Sequence, residues 1–191
     1  MATPRIAVIV GSNRVESINR RLAGALMRLG EDAARFELVP IDDLPLYNFD
    51  LEQAWPAAAR RFSAAIVRTD GVLIVTPEHN RSLPAVLKNA IDWGSRGATP
   101  GVWYDKPIAI TGAARGGIGT AMVQQHLRQI LGNLGAAVMG GEAYVGGFTP
   151  DLVSDDGFIS AEATRAFLQG YLDRFAEFVT RLSRQVAGVA G

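Results

Sequence analysis

Nine residues, Gly11-Ser12-Asn13-Arg14-Val15-Glu16-Ser17-Ile18-Asn19, gather the groups that would hold a phosphate. Ser12, Ser17 and Asn19 are short neutral donors, and Arg14 adds a planar guanidinium fork. An apolar run, Arg5 to Val10, precedes them, and Ile18, Leu22, Leu26 and Leu29 recur behind them at helical spacing. The stretch is therefore a loop between a buried strand and a helix. Free backbone N–H groups and the positive end of the helix dipole favour an anion there. Taken singly, Ser17 reads as an N-cap and Ser12 and Asn13 as turn residues; together, between a first strand and a first helix, they read as a phosphate site. No Gly-Lys-Ser/Thr ends the loop, so it is not a Walker loop. Gly11 stands alone where a dinucleotide fingerprint wants three glycines.

The elements that must position this loop follow in alternation. Strands are expected over Arg35–Ile41, ending at an edge near Pro40, over Gly71–Val75, over Lys106–Thr111 and over Ala136–Met139. Helices are expected from Pro56 to Arg68, from Pro84 to Trp93, and on the stripe Val123, Leu127, Ile130 and Leu134. A long closing helix, capped by Ser160, carries Phe167, Tyr171, Phe175, Phe178 and Leu182. Strands alternating with helices give a parallel sheet covered on both faces. Five of each suit the doubly wound flavodoxin-like α/β order 2-1-3-4-5, in one domain spanning residues 1–191.

In that order strands 1, 3 and 4 are neighbours, and the three unusual loops follow them. The loop after Val75 is Thr76-Pro77-Glu78-His79-Asn80-Arg81-Ser82, offering backbone polar groups held by a proline. The loop after Thr111 is Gly112-Ala113-Ala114-Arg115-Gly116-Gly117-Ile118-Gly119, whose glycines allow close approach to a flat ligand. Gly112 and Gly117 have the gap of a P-loop, but Ile118 stands where the lysine is needed. A mononucleotide with a planar ring fits three such loops, and FMN fits best.

Composition narrows the rest. The 191 residues are 48% apolar and 20% charged, a globular balance large enough for a full core. Nineteen Lys and Arg match nineteen Asp and Glu, so no net field draws the chain to nucleic acid or a membrane surface. Without cysteine there are no disulfides, thiolate metal sites, iron–sulfur clusters or Cys nucleophile, the last of which argues against a phosphohydrolase on a similar fold. The two histidines, His79 and His126, fall on different elements, which argues against a zinc site, and His126 reads as structural. No apolar run is long enough for a bilayer span and the N-terminus lacks a signal pattern, so a cytoplasmic protein is expected. The loop 42–50 carries Leu46, Tyr47 and Phe49 among turn residues, which suggests either contact with a ligand or another subunit or packing against the chain itself.

Gly11-Ser12-x-Arg14-x-x-Ser17-x-Asn19-x-x-Leu22-Ala23 resembles the phosphate loop of the NADPH-dependent FMN reductase family. Thr76-Pro77-Glu78-His79-Asn80-x-Ser82-x-Pro84-x-x-Leu87-Lys88-Asn89-Ala90-Ile91-Asp92-Trp93 resembles its second signature. The resemblance implies a flavodoxin-like enzyme with bound FMN that uses NADPH or NADH to reduce a small-molecule acceptor: free flavin, a quinone, an azo dye or chromate. By position, Ser12, Arg14, Ser17, Ile18 and Asn19 would hold the phosphate. Pro77, Glu78, His79 and Asn80, with Ala114, Arg115 and Gly116, would line the ribityl chain and ring. The family commonly has Tyr at the place of His79 and Ser-Pro-Gly at that of Ala114-Arg115-Gly116. Asp92 and Trp93 are implied to pack helices or a subunit interface, and the assembly to be a homodimer or homotetramer. Because a flavin carries the chemistry itself, no acid–base residue is assigned. The other reading is a flavodoxin-type electron carrier, which tends to be strongly acidic; the neutral charge balance argues against it.

Overall fold

The computed structural model describes residues 3–97 and 100–189. Its backbone alternates as expected: β1 (Arg5–Val10), α1 (Ile18–Leu29), β2 (Arg35–Leu38), α2 (Ala57–Val67), β3 (Gly71–Val75), α3 (Ala85–Gly94), β4 (Pro107–Ala113), α4 (Ala121–Asn133), β5 (Ala137–Val138), β6 (Ala143–Val145) and α5 (Glu162–Val189). The sheet is parallel in the order β2-β1-β3-β4-β5, and β6 also pairs with β4. This is the flavodoxin-like topology that the alternation implies.

Both faces of the sheet are buried, which is why its central strands read as unbroken apolar runs. Ile6, Val8 and Val10 pack with Leu22 and Leu26 of α1 and Phe175 and Val179 of α5. Ala7 and Ile9 point the other way, towards Phe62 of α2, Leu87 and Trp93 of α3, and Val123 and Leu127 of α4. The buried stripe of α5 differs from the expected one. Leu168, Tyr171, Leu172, Phe175 and Val179 face the core, whereas Phe167 is exposed. Size misleads here: the aromatic ring at 167 lies one residue off the face that the smaller Leu168 occupies. In α4 the stripe runs through Leu131 and leaves Ile130 half-buried. Nor does Ser160 cap α5; its hydroxyl donates to the Asp151 carbonyl at 2.7 Å, and the helix begins at Glu162.

The fifth strand comes in two pieces, a break the sequence reading did not anticipate. Ala137 and Val138 pair with Pro107 and Ile108, and Ala143–Val145 pair with Thr111–Ala113. Between them Ile110 faces the gap. The Tyr171 hydroxyl fills it from α5, accepting from the Ile110 N–H at 3.1 Å and donating to the Ile110 carbonyl at 2.8 Å. One side-chain oxygen thus replaces a strand residue and satisfies two buried backbone groups.

Two consequences are measurable. Tyr171→Phe strands both Ile110 groups in the core and should cost about 1–3 kcal/mol in urea unfolding near neutral pH. Burial also pushes the Tyr171 hydroxyl up to about 12. A raised folded pKa favours the neutral native state, so this contribution is intact below the unfolded value of about 10 and is lost as pH rises from there through about 12. The alkaline fall in stability should therefore be shallower in Tyr171→Phe; superimposable pH profiles would contradict this.

Candidate functional site

Three strands end together. The Gly11 N–H donates to the Val75 carbonyl at 2.9 Å, and the Thr76 N–H donates to the Thr111 carbonyl at 3.0 Å. Thr76 is fully buried between two glycines. A Cβ on Gly11 would come well inside 3.0 Å of the Thr76 hydroxyl, and one on Gly112 inside 3.0 Å of the Thr76 carbonyl oxygen. The loops after β1, β3 and β4 therefore leave the sheet from one packed point.

The first loop enters α1 through Ser17, whose hydroxyl accepts from the Arg20 N–H at 3.3 Å as an N-cap. The Arg21 N–H closes on the Ser17 carbonyl. Among the described residues the Ile18 and Asn19 N–H groups have no acceptor, and no acidic side chain occupies the first turn. Donors so arranged at a helix N-terminus favour an anion. The Asn19 side chain is not available to a ligand in full. Buried completely, it donates to the Ala113 carbonyl at 2.9 Å and accepts from the Ala113 N–H at 2.8 Å, tying the first loop to the third.

The second loop contains a two-residue hairpin. His79 and Ser82 exchange backbone bonds of 3.0 and 2.8 Å around Asn80 and Arg81, whose φ angles are 51° and 64°. Left-handed backbone at both central positions is a type I′ turn, uncommon for an arginine. Glu78 fixes the base of this hairpin. Its carboxylate accepts from the Met122 and Val123 N–H groups at 3.0 and 3.2 Å, capping α4, where Thr120 makes no capping bond. Arg81 reaches back to Glu78 at 3.3 Å. Ser82 bonds the ring of His126, an exposed residue of α4, at 3.0 Å.

The third loop is pinned by the segment after β6. The Ala114 N–H donates to Val145, and the Phe148 N–H donates to Ala114, both at 3.0 Å. Gly116 and Gly117 by contrast face open space where a Cβ would stand.

A cavity of about 430 Å³ lies between the loops. Ser12, Arg14, Ser17, Ile18, Asn19, Pro77, His79 and Arg115 line it, as the sequence suggests. Glu78, Asn80, Ala114 and Gly116 do not: the Glu78 side chain turns to α4, and the backbone of Ala114 is spent on its neighbours. Gly11, Asn13, Pro84 and Val86 also line it. Gly11 and Asn13 were in view within the first motif, whereas nothing in the sequence marks Val86 as more than a half-buried helix residue. No carboxylate lines the cavity, and no metal-binding cluster of His, Asp and Glu occurs among the described residues. No described helix is long and apolar enough to cross a membrane.

Asn89 and Trp93, in the second signature, act at a distance from the cavity. Asn89 accepts from the Tyr47 N–H at 2.8 Å and donates to the Pro45 carbonyl at 3.0 Å, and the Trp93 indole donates to the same carbonyl at 2.7 Å. Together they hold the 42–50 loop on α3. Tyr47 packs edge-on against Trp93, while Leu46 and Phe49 remain exposed.

The contrast among the glycines supplies a test. Gly112→Ala drives a methyl into the Thr76 carbonyl and should destabilise by about 3 kcal/mol or prevent folding. Gly116→Ala meets nothing and should unfold at a denaturant midpoint near the parent's. Equal midpoints for the two variants would refute the close packing.

Residues 4–150 match the family model described as NADPH-dependent FMN reductase. A quinone reductase of Pseudomonas putida is 46% identical over 183 residues, covering 95% of this chain and 97% of its own. A 2-hydroxy-1,4-benzoquinone reductase of a Burkholderia species is 43% identical over 175 residues, covering 92% and 96%. Among solved structures, FerB, a flavoenzyme NAD(P)H:(acceptor) oxidoreductase from Paracoccus denitrificans, superposes with a TM-score of 0.89 at 38% identity, covering 93% of this chain and 98% of that one. With motifs, topology and relatives in agreement, the chain belongs to the NADPH-dependent FMN reductase family.

Proposed function

We propose that this protein is an FMN-dependent NAD(P)H:quinone oxidoreductase acting as one flavin-binding domain. The observation that carries this reading is the open N-terminus of α1, with two free N–H groups and Arg14, facing a cavity that contains no carboxylate. A phosphate dianion meets donors there and no repulsion. The quinone reductases of Pseudomonas putida and a Burkholderia species support a quinone as acceptor.

In this reading Ser12, Arg14, Ser17 and the amides of Ile18 and Asn19 bind the phosphate. Asn19 also positions, because its amide locks the first loop to the third. Pro77, His79 and Arg115 border the remainder of the ligand. Glu78 holds the second loop to α4 and so orients the backbone of His79 and Asn80. FMN bound here would supply the two-electron carrier between a nicotinamide donor and the acceptor. The protein's task is then to hold donor and acceptor in turn against one face, and no side chain is assigned a proton. Dependence on a nicotinamide donor fits a cytoplasmic enzyme.

The purified protein should release FMN on heating and oxidise NADPH or NADH when a quinone is supplied. Arg14→Ala should weaken FMN by about 10- to 150-fold. Riboflavin, which lacks the phosphate, should bind parent and variant alike. Equal weakening of both ligands would remove Arg14 from the phosphate site; absence of NAD(P)H oxidation by flavin-loaded protein would leave the electron-carrier reading.

A homodimer or homotetramer belongs to the same proposal. Leu46 and Phe49 are 81% and 70% exposed on a loop that Asn89 and Trp93 hold rigid, and the start of that loop adjoins Ser12. Apolar side chains presented from a fixed backbone suit a subunit contact beside the cavity. Light scattering at micromolar concentration should give a multiple of the 20.4 kDa chain mass, and Leu46→Glu with Phe49→Glu should reduce it.

A further inference from the structure

A second cavity, of about 510 Å³, adjoins the first, and the two share Arg14, Ile18 and Arg115 as lining residues. Its remaining wall includes Arg21, Val15 and Phe148. Arg14 and Arg115 form no ion pair with any described carboxylate. Arg21 is anchored differently. Its Nη2 donates to the Pro150 carbonyl at 3.2 Å and to that of Val153, and lies 3.6 Å from Asp155, leaving its other nitrogens without a partner among the described residues. Three guanidiniums thus border this cavity against two carboxylates, Glu16 and Asp155, the second of them fully exposed and tied to Arg21.

We propose that this second cavity receives the adenylate half of the nicotinamide donor, with its phosphates on Arg14, Arg115 and Arg21. The inference rests on the flavin-reductase reading above. A guanidinium presents five N–H donors along more than one edge, so a single arginine can hold one anion on each side. Arg14 and Arg115 stand between the two cavities, with the flavin phosphate on one side and a second phosphate on the other. A nicotinamide ring must reach the first cavity, and the charged remainder of a dinucleotide must rest within its own length of that point. The adjoining cavity is contiguous with the first, lined by cations, and floored by the buried Phe148 ring. A benzoquinone, which has a single ring and no phosphate, needs none of it. Donor and acceptor then use the same place in the first cavity in turn, and only the donor extends into the second.

Val15 gives access to this cavity without disturbing the fold. It lines the second cavity and not the first, and is 89% exposed. Val15→Glu places a carboxylate among the three guanidiniums, and Val15→Gln provides the same length without charge. Adenosine 2′,5′-bisphosphate, titrated calorimetrically into flavin-loaded protein, should bind the parent and compete with NADPH. Its affinity should fall by about five- to tenfold in Val15→Glu and stay near the parent value in Val15→Gln. Reduced nicotinamide mononucleotide, which has no adenylate, should be oxidised by all three proteins with kcat/KM values within about twofold of one another. Failure of the bisphosphate to bind the parent, or equal affinity for parent and Val15→Glu, overturns the assignment. So does a loss with the mononucleotide as large as that with NADPH. If flavin-loaded parent oxidises neither donor, the flavin-reductase reading falls, and the adenylate site with it.

Discussion

The site depends on a steric fact about Thr76. Its side chain and carbonyl lie against the backbones of Gly11 and Gly112, each closer than a methyl group permits. Three strand ends therefore meet with no side chain between two of them, and the loops that follow start from nearly the same place. A parallel sheet opens such a crevice wherever its winding reverses, but its width is set by what stands at the strand ends. Here two glycines and one buried threonine make it narrow. The backbone donors of one loop then come within a small ligand's length of the other two.

From that point the loops are braced by side chains that bond backbone, not by one another's surfaces. Asn19 engages both polar groups of Ala113, Glu78 takes two amides of α4, and Asn89 and Trp93 grip the carbonyl of Pro45. Each bond joins segments distant in sequence, so the cavity walls are fixed before any ligand arrives. Preorganisation of this kind reduces the ordering a ligand must cause on binding. It also explains why a motif can matter without touching the cavity. Asn89 and Trp93 of the second signature serve to hold a neighbouring loop in place.

How much of this was legible in the sequence follows from what each residue does. Strands buried on both faces announce themselves, and β1 and β3 begin and end where their apolar runs do. The loop that opens α1 onto the cavity was legible because local chemistry defines it: hydroxyls, an amide and a guanidinium at a helix start. The tasks of Glu78 and Asn19 were not, since their partners lie 44 to 45 and 94 residues away. A carboxylate beside the expected ring reads as a ligand contact until the helix end that it caps is known. The closing helix misled for another reason. The aromatic ring at 167 mimics a stripe member, and only packing shows that Leu168 and Val179 lie fully buried while Phe178 packs beside them half-buried. The broken fifth strand was hidden because glycines at 140 and 141 look like an ordinary loop, while the residue that completes the sheet, Tyr171, belongs to a helix far along the chain.

The gap at Ile110 bears on what this sheet can do in a crowd of its own kind. An exposed strand edge is a template for another chain, and long straight edges invite stacking and fibre growth. Here neither rim of the sheet offers one. β2 is four residues long, and the opposite rim consists of pieces of two and three residues. Between those pieces the unpaired groups of β4 are already engaged from inside by Tyr171, so no incoming strand can run the length of the edge. A sheet divided in this way leaves association between copies of the chain to side-chain surfaces, where specificity is available, and removes it from main-chain pairing, where specificity is slight.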